Sequence, residues 1–454
     1  MSKPLHIVVL AAGEGTRMKS SRPKMLQTLG GRPMLLHLLD TIGSLAPAST
    51  HVVIGAGADS VREACGAYEV NWVLQSERRG TGHAVMQAMP GIPDGARVLV
   101  LLGDTPLIPA SLLHGMMDAY EGPLAMLTMQ PADPHGYGRV IRGPGGNIIG
   151  VIEHRDAEAE QLEIREVNTG IFMADSERLR AWLGKIGCDN AKQEYYLPDI
   201  LGHARDEGDD IQGVIAPDAR DLEGANDRRQ LASLERRYQG RMRAALMDAG
   251  VQLMDPDRVD VRGTVEAGCD VLIDINVVLE GRVTLGDGVR VGPGSVLKDC
   301  SLAAGTTVKA HCVLEEIETT GPCEIGPFAR LRPGTVLSSG CRIGNFVETK
   351  NARLGEGSKA NHLSYVGDSE VGSGVNIGAG TITCNYDGAN KHRTVIEDGA
   401  FIGSDTQLVA PVTVGRGATI GAGTTLTRDA PPDALTVSRA KQTTLKGWKR
   451  PVKK

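Results

Sequence analysis

Several short stretches of this chain carry side chains that could act on phosphate or on an amine. "LAAGEGTRM" (Leu10 to Met18) is a glycine-rich turn that follows an aliphatic run, with Arg17 inside it and Lys24 shortly after, in "RPKML". A turn of this kind leading into a helix offers backbone N–H groups to an anion, and two cations would strengthen a hold on phosphate. The stretch is not GxxxxGK[ST] and does not fit GxGxxG, so a structural glycine turn is the competing reading. "VLVLLGD" ends in Asp104. A carboxylate there suits Mg²⁺, which takes one or two protein oxygens and fills its shell with substrate phosphates. An Asp that caps the next helix is the alternative.

A second group lies far along the chain. "RLRPG" supplies Arg332, "FVETK" supplies Glu348 and Lys350, "NHLSY" supplies His362 and Tyr365, and "VNIG" supplies Asn376. Between Thr383 and Ile396 a regular pattern is interrupted by Asn385, Tyr386, Asp387, Lys391 and His392. Three cations beside a histidine would make a pocket for a phosphorylated amino sugar, with the imidazole as a base near neutral pH. Position alone allows a neutral surface insertion, and an isolated histidine there would ordinarily be a surface residue.

The elements that must position these residues fall into two kinds. From residue 5 to about 228, short aliphatic runs ("HIVVLAAG", "HVVIGAG", "NWVLQ", "RVLVLLGD") alternate with helical segments such as "RPMLLHLLDTIGSL". That alternation predicts an α/β domain with a mostly parallel, Rossmann-like sheet, whose ligands sit beyond the carboxyl ends of the strands. Residues 229–250 read as one connecting helix, stopped by Gly250. From 251 to 454 an aliphatic residue recurs every six positions: Ile273, Leu279, Leu285, Val291, Leu297, then Ile325, Leu331, Leu337, Ile343, and Ile402, Leu408, Val414, Ile420, Leu426. Neither an amphipathic helix nor an alternating strand has that period, whereas a hexapeptide-repeat parallel β-helix does. Three hexads make a coil, so residues about 18 apart stack, and Arg332 and Lys350 can emerge on one edge.

Composition limits the alternatives. A net charge of −6 and 23% charged residues argue against a nucleic-acid binder. The 58 glycines and 3% aromatics fit tight corners around small aliphatic side chains. No apolar run is long enough to span a bilayer, and the scattered cysteines contain no CxxC pair, so a cytoplasmic protein with reduced thiols and no zinc site is expected.

"LAAGEGTRM" with Lys24, "LQSERRGTGHA", Gly103-Asp104, "GYGR", "VIEH", "VNTG", "QEYY" and "EGAND" follow one another in an order that resembles the sugar-phosphate nucleotidyltransferases. With the hexapeptide half added, nearly the whole chain is similar to the bacterial bifunctional N-acetylglucosamine-1-phosphate uridyltransferase/glucosamine-1-phosphate acetyltransferases. The resemblance implies a left-handed β-helix, a homotrimer, and the substrates UTP, acetyl-CoA and glucosamine-1-phosphate, with Mg²⁺ held by Asp104 and Asn226. It implies that Leu10, Ala11, Ala12, Gly13, Gln75, Gly80, Thr81, Leu102 and Gly103 line the nucleotide. Arg17 and Lys24 would face the triphosphate, and Gly138, Glu153 and Asn168 the sugar. In the C-terminal half it implies His362 as general base and Arg332, Lys350, Tyr365, Asn376 and Lys391 on the sugar phosphate. Ala379, Asn385, Tyr386, Ser404, Ala422 and Arg439 would take acetyl-CoA. One departure is Leu102, where relatives often carry Tyr; a backbone contact would survive it. Two rival readings are a nucleotidyltransferase with a purely structural or regulatory β-helix, and a non-catalytic sugar-nucleotide-binding assembly. A scaffold has no need of His362, Lys391 and the loop, and simple binding has no need of Asp104 with Asn226.

Overall fold

A computed structural model describes residues 3–55, 57–189, 193–438 and 440–453. The chain divides into two compact units, Met1–Tyr238 and Gln239–Lys454. No described helix is long and apolar enough to cross a membrane.

In the first unit, aliphatic runs become the strands of a nine-stranded sheet: β1 (Leu5–Ala11), β2 (Ser49–Ile54), β3 (Asn71–Leu74), β4 (Arg97–Leu102), β5 (Leu124–Met129), β6 (Arg139–Arg142), β7 (Ile148–Ile152), β8 (Val167–Asp175) and β9 (Ile211–Ile215). The order is β9-β5-β8-β4-β1-β2-β3, with β6 against β8 and β7 against β6. Pairings β4-β1, β1-β2, β2-β3 and β9-β5 are parallel, and β8 runs antiparallel to both its main neighbours. Both faces are covered. Ile7 and Val9 of β1 enter one apolar cluster, while Val8 enters another. This is why these strands read as unbroken aliphatic runs rather than alternating ones.

The second unit is a stack of short parallel strands. Ile273 pairs with Val291, and Val291 pairs in turn with Val308, so each strand lies on the one a coil before it. The hexad aliphatics Ile273, Leu279, Leu285, Val291 and Leu297 are at most 1% exposed and belong to a single core column. Burying each such side chain contributes about 1.5–3 kcal/mol, and a coil gains it only through the coils above and below. Ala360 pairs with Ile377 across an ordinary coil, but Ile377 pairs with Ile402 across a much longer one. The difference is the interruption between Cys384 and Thr394, which leaves the wall and returns to it without disturbing the register. Helix Arg228–Asp248 contributes to both units: Leu234 is buried in a cluster of the first and Leu246 in the core of the second.

Candidate functional site

The first unit's candidates gather at the carboxyl ends of β1 and β4. Leu10 lies opposite Leu102, and the Gly103 N–H donates to the Leu10 carbonyl at 2.9 Å. Leu10, Ala11, Ala12 and Gly13 therefore leave the sheet beside Leu102, Gly103 and Asp104. The contact is close: a Cβ on Gly103 would lie 3.1 Å from the Leu10 carbonyl oxygen. Gly15 turns the loop at φ 65°, a region that favours glycine, and a Cβ there would lie 2.6 Å from Lys24 Cβ. The turn thus packs directly on Lys24, which is 7% exposed. The Lys24 ammonium forms an ion pair with Asp104 Oδ2 and donates to Asn226 Oδ1 at 2.7 Å. Asn226 reaches this point because the Ala225 N–H donates to the Asp104 carbonyl at 3.3 Å. Asp104 and Asn226 are thus two hard oxygen donors already converging on one cation, a donor set that fits Mg²⁺. Arg17 is exposed, within electrostatic reach of Asp227.

The other candidates of this unit stand around the same sheet ends. Gln75 follows β3, and its Nε2 donates to the Gly80 carbonyl at 3.2 Å. Gly80 and Thr81 open helix Thr81–Ala88, and Thr81 Oγ1 accepts from the Leu197 N–H at 3.1 Å. The "QEYY" segment braces this turn: the Gly82 N–H donates to the Tyr195 carbonyl at 2.8 Å, and Arg79 stacks over the Tyr195 ring at 5.0 Å. Gly138, Glu153 and Asn168 come together. A Cβ on Gly138 would lie 3.3 Å from Glu153 Oε1, and the Asn168 N–H donates to the Gly138 carbonyl at 2.9 Å. Leu102 packs on Gly170, two residues beyond Asn168, where a Cβ would lie 3.0 Å from Leu102 Cδ1. Tyr137, part of "GYGR" but not singled out from the sequence, is pushed up in pKa by burial and then by Glu223 and Asp104. It belongs to the surroundings of the Asp104 site.

In the second unit one corner gathers several of the candidates. Asn345 pairs with His362 in adjacent strands. Continuing the same registers sets Ala379 over His362, Ser404 over Ala379, and Ala422 over Ser404. The next residue in each coil, Phe346, Leu363, Gly380, Asp405 and Gly423, has positive φ, so the backbone turns at the same point every time. His362 is exposed, and its Nδ1 lies 3.1 Å from Asn345 Oδ1. An amide oxygen can only accept, so in the neutral ring this contact selects the tautomer with the proton on Nδ1 and the lone pair on Nε2.

The cations form a second group. Leu331 pairs with Thr349, and the Arg332 N–H donates to the Thr349 carbonyl at 2.9 Å, which sets Lys350 above Arg332. The Arg332 guanidinium is held by Glu348 at 2.9 Å. The interrupting loop brings Lys391 back against Lys350. That neighbour, then burial, pushes Lys350 down from its ordinary pKa, and Arg332 acts in the same direction. Cations crowded together in this way are poised for an anion. The loop is closed by its own contacts: Tyr386 bridges Lys391, and Asp387 Oδ2 accepts from His392 Nε2 at 2.7 Å. Asn385 Nδ2 donates to Asp368 and, at 3.4 Å, to Tyr365 OH.

Not every candidate joins these groups. Asn376 stacks between Lys359 and Phe401 on the neighbouring sheet, with no side-chain hydrogen bond to the cation cluster among the described residues. Arg439 lies outside the described residues. Asn345 and Asp368 were missed by the sequence reading. The signal was there in the shorter of the two coil lengths, which puts Asn345 under His362 and Asp368 under Asn385.

Residues 7–144 match the MobA-like NTP transferase domain family, and residues 268–299 and 393–428 match the bacterial transferase hexapeptide family. The chain is 54% identical to Bifunctional protein GlmU of Stenotrophomonas maltophilia (strain K279a) over 455 residues, covering 100% of each. It is 55% identical to Bifunctional protein GlmU of Alkalilimnicola ehrlichii (strain ATCC BAA-1101 / DSM 17681 / MLHE-1), covering 99% of this chain and 97% of that protein. The chain belongs to the GlmU family. It is a bifunctional transferase of UDP-N-acetylglucosamine synthesis, with uridyltransferase and acetyltransferase activities. The reading of the β-helix as a mere scaffold is set aside by that pairing, as is the reading of a non-catalytic assembly. Among solved structures, a nucleotidyl transferase from Methanothermobacter thermautotroptrophicus is 18% identical, covering 52% of this chain and 99% of that one with a TM-score of 0.39, and no argument rests on it.

Proposed function

We propose that the two activities are divided between the two halves. Residues 251–454 acetylate glucosamine-1-phosphate with acetyl-CoA, and residues 1–228 then transfer UMP from UTP to the N-acetylated product, releasing pyrophosphate. The product would supply peptidoglycan and lipopolysaccharide precursors in the cytoplasm. The reading is carried by the corner on which His362 stands at the foot of Ala379, Ser404 and Ala422, together with the separate cluster of Arg332, Lys350 and Lys391 in the same unit.

In acetyl transfer, Arg332, Lys350 and Lys391 take the acceptor's phosphate, with Tyr365 and Asn376 on the sugar. His362 Nε2 takes the proton from the C2 amine as the nitrogen attacks the thioester carbonyl, the C–S bond then breaks and CoA leaves as the thiol with that proton, while Asn345 holds Nδ1–H. Ala379, Ser404, Ala422, Asn385, Tyr386 and Arg439 receive acetyl-CoA. In uridylyl transfer the attacking sugar phosphate is already ionised, so no protein nucleophile or base is required. Asp104 and Asn226 hold Mg²⁺, which when bound neutralises charge on the phosphates. Lys24 and Arg17 hold the triphosphate in line, Leu10 to Gly13, Gln75, Gly80, Thr81, Leu102 and Gly103 seat the nucleotide, and Gly138, Glu153 and Asn168 seat the sugar.

Self-association as a homotrimer is part of the proposal. It is supported by a stack of apolar side chains on the His362 corner. The His311 and Phe328 rings stack at 5.1 Å and the Phe328 and Phe346 rings at 5.4 Å, and Phe328, Phe346 and Leu363 are exposed.

The test supplies glucosamine-1-phosphate, acetyl-CoA, UTP and Mg²⁺ and follows free CoA thiol and pyrophosphate separately. His362→Ala is expected to abolish thiol release and to leave pyrophosphate release from supplied N-acetylglucosamine-1-phosphate intact. Asp104→Ala should do the reverse. Loss of both activities in either folded variant would sink the division of labour.

A further inference from the structure

Asp368 is a carboxylate that neither half-reaction uses as described. It lies in strand Tyr365–Val371, is 9% exposed, and has a left-handed backbone at φ 46°. A buried carboxylate is costly unless its oxygens are satisfied, and here both are. Oδ1 accepts from Asn351 Nδ2 at 2.7 Å, and Oδ2 accepts from Asn385 Nδ2. Asn351 stands one coil before Asp368 and Asn385 one coil after it, so the three side chains form a ladder across three successive coils. The top rung is where the chain leaves the wall to form the interrupting loop.

The ladder constrains Asn385. Its amide nitrogen is occupied by Asp368 and by Tyr365 OH at 3.4 Å, so its Oδ1 is left as the atom through which the amide can meet a ligand. Asp368 also sits among the cations. Lys350 and Lys391 both act on its carboxyl: burial alone would raise its pKa, but the two amides and the two lysines outweigh burial and hold it below its ordinary value. In return Asp368 supports a charged Lys350 against the depressing effect of Lys391 and Arg332. Glu348 is engaged by the Arg332 guanidinium, and Asp368 is an acid whose charge acts on Lys350.

We propose that Asp368 is a positioning residue for acetyl transfer, fixing the Asn385 amide and counterbalancing the Lys350 and Lys391 pair that receives the acceptor's phosphate. The proposal rests on the C-terminal half being the acetyl-transfer site. Asp368 touches no reacting atom. It keeps two cations charged at close quarters, and it turns one amide so that its oxygen faces a ligand.

The experiment uses the full-length protein and follows thiol release at varied glucosamine-1-phosphate, from neutral pH into the lysine range. Pyrophosphate release serves as the control for folding. Asp368→Asn is expected to raise KM for glucosamine-1-phosphate several-fold, because the lysines that receive the phosphate lose their counter-charge and Asn385 loses its hydrogen-bond acceptor. In the wild type KM should climb at alkaline pH as Lys350 loses its proton, and in Asp368→Asn that climb should begin at lower pH, because the carboxylate that favours the charged lysine is gone. An unchanged KM overturns the proposal, and a raised KM whose climb begins where it did before overturns the charge-balancing role. If Asp368→Asn does not fold, Asn351→Ala frees one carboxylate oxygen and keeps the charge. It should raise KM without moving the alkaline climb, and an unchanged KM again overturns the proposal. His362→Ala separates the two levels: if it retains thiol release, the site assignment itself is wrong, whatever Asp368 does.

Discussion

Lys24→Met tests how the first unit holds the two oxygens proposed to take the metal. The change keeps the stem and removes the ammonium that ties Asp104 to Asn226. Asp104, whose side chain is 16% exposed, would then face an amide oxygen with no cation between them. Removing one partner of a buried ion pair costs about 3–5 kcal/mol, and the residual exposure points to the low end, about 3 kcal/mol. A unit of this size shifts by about 2–4 °C per kcal/mol, so its Tm should fall by roughly 6–12 °C. The same vacancy should make the site more receptive to Mg²⁺, because a divalent ion no longer has to displace Lys24. Mg²⁺ at a hundred times its Kd would restore about 2.7 kcal/mol, most of the loss. The assay is calorimetry of the full-length protein without nucleotide, with and without Mg²⁺, reading the transition that UTP moves. The wild type should respond less to Mg²⁺ alone than the variant. Equal responses, or a loss under about 1 kcal/mol, would refute the claim that Lys24 occupies the cation position.

Other outcomes follow from single contacts. Asn345→Ala should lower acetyl-transfer kcat about tenfold with KM for both substrates unchanged, because His362 loses the acceptor that fixes its tautomer; an unaltered kcat would remove Asn345 from the mechanism. Burial opposes the ionisation of Glu166, but hydrogen bonds from Arg142 and from Thr128 at 2.7 Å outweigh it and lower its pKa. Its contribution to stability is therefore fully present above the unfolded-state value near 4.5 and disappears as pH falls through the lower folded value. Urea unfolding at neutral and acidic pH should show Arg142→Met narrowing that difference, and a parallel pH dependence would count against the pair.

Much of this architecture could be read from the sequence because its causes are local and repeated. Each hexad aliphatic is buried for the same reason as the last, so one period reports the whole core column from Ile273 to Leu426. The break in that period marked the loop carrying Asn385 and Lys391. What stayed hidden depended on step length and on distant contacts. The coils are not all of one length. A constant count of three hexads finds Arg332 under Lys350, but it passes over Asn345 under His362 and Asp368 under Asn385, whose coils are one position shorter. The seat of Lys24 is made by Asp104 and Asn226, both far along the chain, a meeting that no local pattern encodes. For the same reason the sequence reading placed Lys24 toward phosphate without finding that Asp104 and Asn226 also seat its ammonium.

The long step between Ile377 and Ile402 has a consequence for inheritance. The extra residues enter where the chain turns, between two coils whose hydrogen-bonded partners remain in line. The wall does not record what the loop contains. A lineage could lengthen, shorten or exchange that loop while the remaining coils keep their aliphatic spacing. Selection on the loop would then act apart from selection on the coils, which carry both the aliphatic spacing and His362.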